Sequence, residues 1–335
     1  AEDLFEIIRV PESYPKTKPK ACNYAFRFAR GDYTVIFDAE DIPEPDQLRK
    51  VVALFRASGP EVACIQARLN YFNWNDNFLT RMFTLEYSHW FDYLLPGLHL
   101  LRIPIPLGGT SNHFRTKVLQ ELGGWDPYNV TEDADLGIRL TEAGYRVAVV
   151  NSTTFEEATG RLPSWINQRS RWIKGYMQTW LVHMRHPVSL YKRLGFVGFT
   201  GFHLFIGFPP FTALINPLLW ATFVVSLLIG PSRVAALFPA PVLILAVFDL
   251  LIGNAMSIYF NLVAVAKRQW FGLVPWGMLA PLYWALHSIA AYKALAQLIH
   301  NPHYWEKTTH GTSARTKEAV AALTLGRPTA EAAPG

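Results

Sequence analysis

From Leu194 to Ile299 the only Asp, Glu, Lys or Arg side chains are Arg233, Asp249, Lys267, Arg268 and Lys293. Apolar runs of roughly 20 residues match the thickness of a bilayer core, so this stretch predicts membrane helices. Phe196 to Ile229 reads as one long span or two short ones, because Gly207, Pro209, Pro210 and Pro217 interrupt it. Val242 to Ala266 is a cleaner span, ended by Lys267 and Arg268. Trp270 to Ile299 contains Pro275 and Pro281 and suits an interfacial piece followed by a span as well as one helix. The basic pairs Lys192-Arg193 and Lys267-Arg268 favour the cytoplasm at both points, which implies two crossings between them. The chain thus divides into 1–193, of ordinary globular composition, a membrane part over 194–300, and a C-terminal segment over 301–335. The Ala-, Thr- and Pro-rich end of that segment, after Thr312, is too poor in core-forming residues to be expected to order.

Residues 1–193 alternate strand and helix signals. Phe5 to Val10 reads as a strand closed by Pro11, and the lysine-bearing loop from Pro15 to Lys20 leads to an amphipathic helix over Ala21 to Ala29. Tyr33 to Phe37 reads as a buried strand, followed by a helix over Asp46 to Ala57 and a strand over Glu61 to Leu69. Further on come a long aromatic helix (Asn75 to Leu95), a helix over Thr116 to Leu122, a strand over Tyr145 to Val150, and a helix over Leu162 to Met184. Such alternation predicts a mostly parallel sheet with helices on its faces, and ligands in such sheets lie at the carboxyl ends of strands. The net charge of +5 suits acidic lipid or phosphate-bearing ligands and does not indicate nucleic acid. Cys22 and Cys64 lack metal-type spacing, which argues against a disulfide framework and for a reducing compartment.

Three polar clusters stand out. Val130 to Leu136 carries Glu132, Asp133 and Asp135 into a period-3.6 segment, so it opens a helix that Thr131 can cap. Read blandly, these acids only complement the helix dipole. Asp38, Glu40 and Asp41 stand just past the strand ending at Phe37. They are either a solvated turn or carboxylates that hold Mg²⁺ or Mn²⁺ against phosphate oxygens. Gln168-Arg169-Ser170-Arg171-Trp172 is either a cationic helix face with a packed Trp or a surface offering arginine to phosphate and indole to a sugar ring.

Asp38-Ala39-Glu40, Thr131-Glu132-Asp133 and Gln168-Arg169-Ser170-Arg171-Trp172 resemble the ordered D-x-D, T-E-D and Q-x-x-R-W motifs of membrane family 2 glycosyltransferases, the group that includes bacterial cellulose synthase-like enzymes. The resemblance implies a GT-A type, Rossmann-like α/β domain followed by a transmembrane helical region. It implies inverting transfer of a sugar from a nucleotide-diphosphate donor, a UDP-sugar first among them, to a glycan acceptor. Position by position it places Asp38 near the nucleotide, Asp38 and Glu40 on the metal, and Asp133 as catalytic base with Glu132 supporting the acceptor site. Arg171, with Gln168 and Arg169, is expected on the diphosphate, and Trp172 on the acceptor saccharide. Lys20-Ala21-Cys22-Asn23 is similar to a K-A-x-N segment whose lysine lies near the nucleotide. Gly109, Thr110 and Ser111 fall where the family places its acceptor-terminus loop, and Trp305, Lys307 and Thr308 where relatives carry a gating segment. The second motif position is Glu40 where the family has Asp. The family's first βαβ portion, with an early nucleotide-binding Asp, belongs before Phe5, so the expected domain lacks its N-terminal portion.

The leading expectation is a processive polysaccharide synthase of the inner (plasma) membrane, multi-pass, with a cytoplasmic active site, membrane lipid around its helices and accessory export subunits. Two alternatives stay open: a single transfer that forms a glycolipid, and a non-catalytic receptor or assembly subunit that keeps the fold.

Overall fold

The computed structural model of the chain describes residues 5–230, 232–233, 238–306 and 316. A five-stranded sheet has the order β1-β4-β3-β5-β2, with β1 Tyr33–Ile36, β2 Ile42–Pro43, β3 Val62–Tyr71, β4 Asn112–Arg115 and β5 Arg146–Glu156. β3 is buried along almost all of its length, as a central strand should be. Only β3 and β5 run parallel; the pairs β1–β4, β3–β4 and β2–β5 are antiparallel. The sheet is therefore mixed, against the mostly parallel expectation. The cause is β4, a four-residue strand beginning Asn-His. Its short polar start hides it from a hydrophobic pattern, yet it inserts between β1 and β3.

Two other expectations change. Residues 5–10 form no strand, and Phe5 and Ile7 are exposed. β1 is half-buried, because β4 is its one strand partner among the described residues.

Helices α1 (Lys18–Phe26), α2 (Gln47–Ala57), α3 (Phe78–His89), α4 (Leu95–Leu101), α5 (Thr116–Glu121), α6 (Glu132–Glu142) and α7 (Leu162–His183) surround the sheet. Phe55, Ile65 and Val150 join one core; Leu69, Phe114, Leu136 and Trp125 join another. The long aromatic helix does not run unbroken from 75 to 95. A widened turn at Trp90–Leu94 separates α3 from α4 and accompanies the burial of Asp92. Arg268 grips that carboxylate at 2.5 and 2.8 Å, and Arg68 stands 3.5 Å away. This buried cluster ties the sheet to the apolar helices that follow.

Those helices are α8 (Pro187–Phe202), α9 (Phe208–Ile229), α10 (Ala240–Phe248), α11 (Asn254–Lys267) and α12 (Ala280–His300). Among the described residues, two continuous stretches are long and apolar enough to cross a membrane: Pro187–Ile229 and Ala240–Lys267. The span expected within Trp270 to Ile299 is not a third. Its first part is a tight helix at Phe271–Leu279, and α12 packs its small face (Ala280, Ala290, Ala291, Ala294) inward. The C-terminal stretch after Thr312 lies outside the described residues apart from Thr316.

Candidate active site

α6 starts where its acids are densest, with Glu132, Asp133 and Asp135 all in the first turn. Thr131 does not cap it as expected. Its hydroxyl turns toward Asn129 Oδ1 (3.4 Å), and Gly175 of α7 lies so close over it that a Cβ there would overlap the threonine side chain. α7 thereby presses directly on the start of α6. Glu132 is buried, and Asp133 half-buried with Oδ1 accepting from the Ala134 N–H at 2.8 Å. Burial, then the neighbouring Asp133, pushes Glu132 up to about 8; burial also raises Asp133. The two carboxyls titrate as a pair, and one proton is retained between them into neutral pH.

Lys18, at the start of α1, joins the two acidic clusters. Its Nζ pairs with Asp38 and donates to the Gly109 carbonyl at 2.8 Å. Gly109 sits against Asp133, 3.3 Å from where its Cβ would be. Beyond β1, Asp41 accepts from the Asp38 N–H (2.7 Å) and from Thr110, while its Oδ1 is buried without a hydrogen-bond partner. Burial pushes Asp41 up to about 6.

A cavity of about 1540 Å³ gathers these groups. Lys18, Asp38, Glu40, Gly109, Thr110, Glu132, Asp133, Gln168, Arg171, Trp172 and Trp305 all line it. Arg171 feels the charges of Glu132, Asp133 and Asp38, and its guanidinium lies 4.8 Å from the centre of the Trp305 ring. Trp172 lies against Phe83 and Tyr87 at 5.8 and 6.3 Å.

Other expected residues sit differently. Arg169 reaches the cavity wall, but its guanidinium is engaged by Glu86 (Nη1–Oε1 2.7 Å) and the Tyr283 hydroxyl (3.1 Å), not by the acids. Lys20 donates to the carbonyls of Pro11 and Ser13 and borders a smaller adjoining cavity; Lys18, not Lys20, lines the main one. Ser111 is buried, with a left-handed φ of 56°, and its hydroxyl donates to Thr154 Oγ1 at 2.7 Å, away from the cavity. Lys307 and Thr308 lie outside the described residues.

The segment before them lies along α7 and includes a turn in which the Tyr304 N–H donates to the Asn301 carbonyl at 3.2 Å. Gln178 donates to the Pro302 carbonyl (2.9 Å), Lys174 to that of Tyr304 (2.7 Å), and Ser170 to Glu306 (3.4 Å). Residues one helical turn apart on α7 thus hold Pro302, Tyr304 and Glu306, and Trp305 between the last two lies against Arg171. The sequence pattern missed Glu156 on the cavity wall. Glu156 ends β5 and its Oε1 is buried without a hydrogen-bond partner; no motif spacing marks it.

α6 is fastened to α7 by His183, which reaches both its first turn and its last residue. Its Nε2 faces Asp135 at 3.0 Å and its Nδ1 faces Glu142 at 2.6 Å. Burial lowers the imidazole pKa, but the two carboxylates outweigh it and lift it to about 9. Because the folded value is raised, the stabilisation is complete below about pH 6.5 and lost as pH rises through about 9. His183→Gln is expected to cost on the order of 2 kcal/mol at pH 7 and little at pH 10. Thermal unfolding midpoints of both proteins across that range check this; an equal gap at both pH values would refute it.

The model of the glycosyl transferase family group 2 matches residues 33–295. A probable glucomannan 4-beta-mannosyltransferase 10 of Arabidopsis thaliana is 29% identical over 164 residues, 49% of this chain and 28% of that protein. The probable glycosyltransferase YdaM of Bacillus subtilis is 26% identical over 212 residues, 60% of this chain and 49% of that protein. The chain therefore spans about half or less of the length of these relatives. The mannosyltransferase PcManGT of Pyrobaculum calidifontis, solved with GDP-Man and Mn²⁺, is 19% identical with a TM-score of 0.48, covering 87% of this chain and 68% of that one. The three motifs fall inside the matched span and their side chains line one cavity, and the chain belongs to glycosyl transferase family group 2.

Proposed function

We propose that the protein transfers a hexose, with inversion, from a nucleotide-diphosphate sugar to a glycan hydroxyl. The observation that carries this reading is the convergence of Lys18, Asp38, Glu132, Asp133 and Arg171 on one cavity. Lys18 and Arg171 supply cations for the diphosphate. Asp133 takes the proton of the attacking hydroxyl, while buried Glu132 keeps the shared proton and leaves its neighbour ionised.

Among the described residues no three His, Cys, Asp or Glu side chains are grouped to hold a metal. Asp38 and Glu40 nevertheless fit Mg²⁺ or Mn²⁺, which one or two carboxylates plus substrate phosphate oxygens can hold. When bound there, the ion would offset the charge of the departing diphosphate. EDTA is expected to abolish turnover and added Mg²⁺ or Mn²⁺ to restore it, measured as release of nucleoside diphosphate. Turnover that survives chelation would remove the metal from the scheme.

The same cavity continues between the apolar helices, where Asp249, Ser257 and Asn261 line it together with Thr212 and Asn216. Polar groups on otherwise apolar helices support a membrane-embedded path for a growing glycan and thus a processive, export-coupled reaction. The helices would cross the inner membrane with the sheet domain cytoplasmic, surrounded by lipid and assisted by export subunits. The names of the plant relatives make mannose the first donor sugar to test beside the UDP-hexoses. Membranes carrying the full protein, given labelled nucleotide sugars, are expected to yield long polymer. A lipid-extractable single-transfer product would favour the glycolipid reading, and absence of any product the non-catalytic one.

A further inference from the structure

We infer that Glu156 reads a hydroxyl of the donor sugar ring, which makes it a specificity-determining residue that none of the three motifs contains. The inference rests on the transferase reading above. β5 ends at Glu156, which lies opposite Tyr71 of β3 in the parallel register. The Phe72 N–H donates to the Glu156 carbonyl at 3.1 Å, so the backbone is fixed on the sheet. From that fixed point the side chain lines the same cavity as Lys18, Asp38, Glu40, Asp133 and Arg171. Its Oε1 is shielded from solvent and has no hydrogen-bond partner among the described residues. Buried acceptors are rarely left so, and one on a cavity wall is a place for a ligand donor.

The chemistry of the neighbours says which donor. Asp38, Glu40 and Asp41 act on Glu156 as like charges and Lys18 as an opposite one. A diphosphate offers oxygen acceptors and no donor, so it leaves Oε1 unsatisfied, whereas a hydroxyl satisfies it. Tyr87 also lines the cavity, its ring backed by that of Tyr71 with centroids 4.6 Å apart. An aromatic floor beside an unpartnered carboxyl suits a neutral polyol: the ring packs its C–H face while an O–H donates to Oε1. The sugar of a nucleotide sugar is the part of the donor that meets this description. A site that hydrogen-bonds a substrate hydroxyl rejects analogues lacking it far more strongly than an apolar pocket rejects a missing methylene.

The test compares nucleoside diphosphate with nucleotide sugar on the full protein in detergent. Titration calorimetry is run with GDP, GDP-mannose, UDP and UDP-glucose on the wild type and on Glu156→Met, which keeps the side-chain length without an acceptor oxygen. The expected result is at least about tenfold weaker binding of the nucleotide sugar the wild type prefers, with the matching nucleoside diphosphate unchanged. Unchanged diphosphate binding also shows that the variant site is folded. Equal loss of both ligands would overturn the inference, because Glu156 would then act on the diphosphate. No loss of either would overturn it too, leaving Glu156 a wall residue only. A wild type that binds neither pair removes the transferase reading itself, an outcome distinct from either of these.

Discussion

Asp133→Asn is expected to lower turnover by about 10² to 10⁴-fold, the usual effect of removing a general base. The substitution keeps the planar shape, and the amide oxygen can still accept the Ala134 N–H at 2.8 Å. Packing against Gly109 is likewise kept, so the fold of the α6 start should survive. What disappears is the proton acceptor. A sugar hydroxyl is a weak nucleophile, and without a carboxylate in reach its proton has nowhere to go during attack. In the proposed arrangement the diphosphate is held by Lys18 and Arg171, not by Asp133, so donor affinity should stay within about twofold. Glu132 cannot simply take over: it is the more deeply buried of the pair, and burial favours its protonated form. Single-turnover transfer and donor titration on the same preparation separate the two effects. Near wild-type turnover would overturn the assignment of Asp133.

Much of the fold could be read from the chain because its signals are local. The span of β3 shows in its apolar run, and the starts of α6 and α7 show in acidic and proline signals. What escaped was non-local. β4 is too short and polar to advertise itself, yet it sets two of the antiparallel pairings. The strand expected over residues 5–10 has the right composition, but the sheet does not take it in. The widened turn at Trp90–Leu94 accompanies an arginine nearly 180 residues away, a partner that no local window contains.

The site divides in the same way. Asp38, Asp133, Arg171 and Trp172 were legible because motif spacing fixes them on strand ends and helix faces. Lys18 falls in the lysine-bearing loop of the sequence reading, although the Pro19 that follows it marks a helix start. Lys20 was preferred on motif grounds, and its contacts turn it to the carbonyls of residues 11 and 13. Arg169 and Arg171 carry the same charge two positions apart, so they point some 160° from one another. Which of them meets a carboxylate from another helix cannot be read from that spacing. Glu86, which claims Arg169, sits on α3 within an aromatic helix that gives no sign of a catalytic role.

Arg171 and Trp172 are adjacent but should fail differently. Neighbours on a helix point about 100° apart, and these two have separate surroundings. Arg171 lies over Trp305 and within the field of Glu132, Asp133 and Asp38; Trp172 lies on Phe83 and Tyr87. Arg171→Ala is expected to lower turnover by about 10² to 10³-fold, as removal of a preorganised charge-stabilising donor does. It should also weaken inhibition by nucleoside diphosphate, because the guanidinium pairs with the same oxygens before and after departure. Arg171→Lys should recover only part of this, since it restores charge without the planar fork. Trp172→Ala should leave nucleoside diphosphate binding intact and shorten the product or impair acceptor use. It removes a ring face, which has no stake in the phosphate. Calorimetry with nucleoside diphosphate, beside product length on gels, tests the contrast. If Trp172→Ala loses as much nucleotide affinity as Arg171→Ala, both residues merely hold α7 in place against α6, and the division between diphosphate and acceptor is wrong.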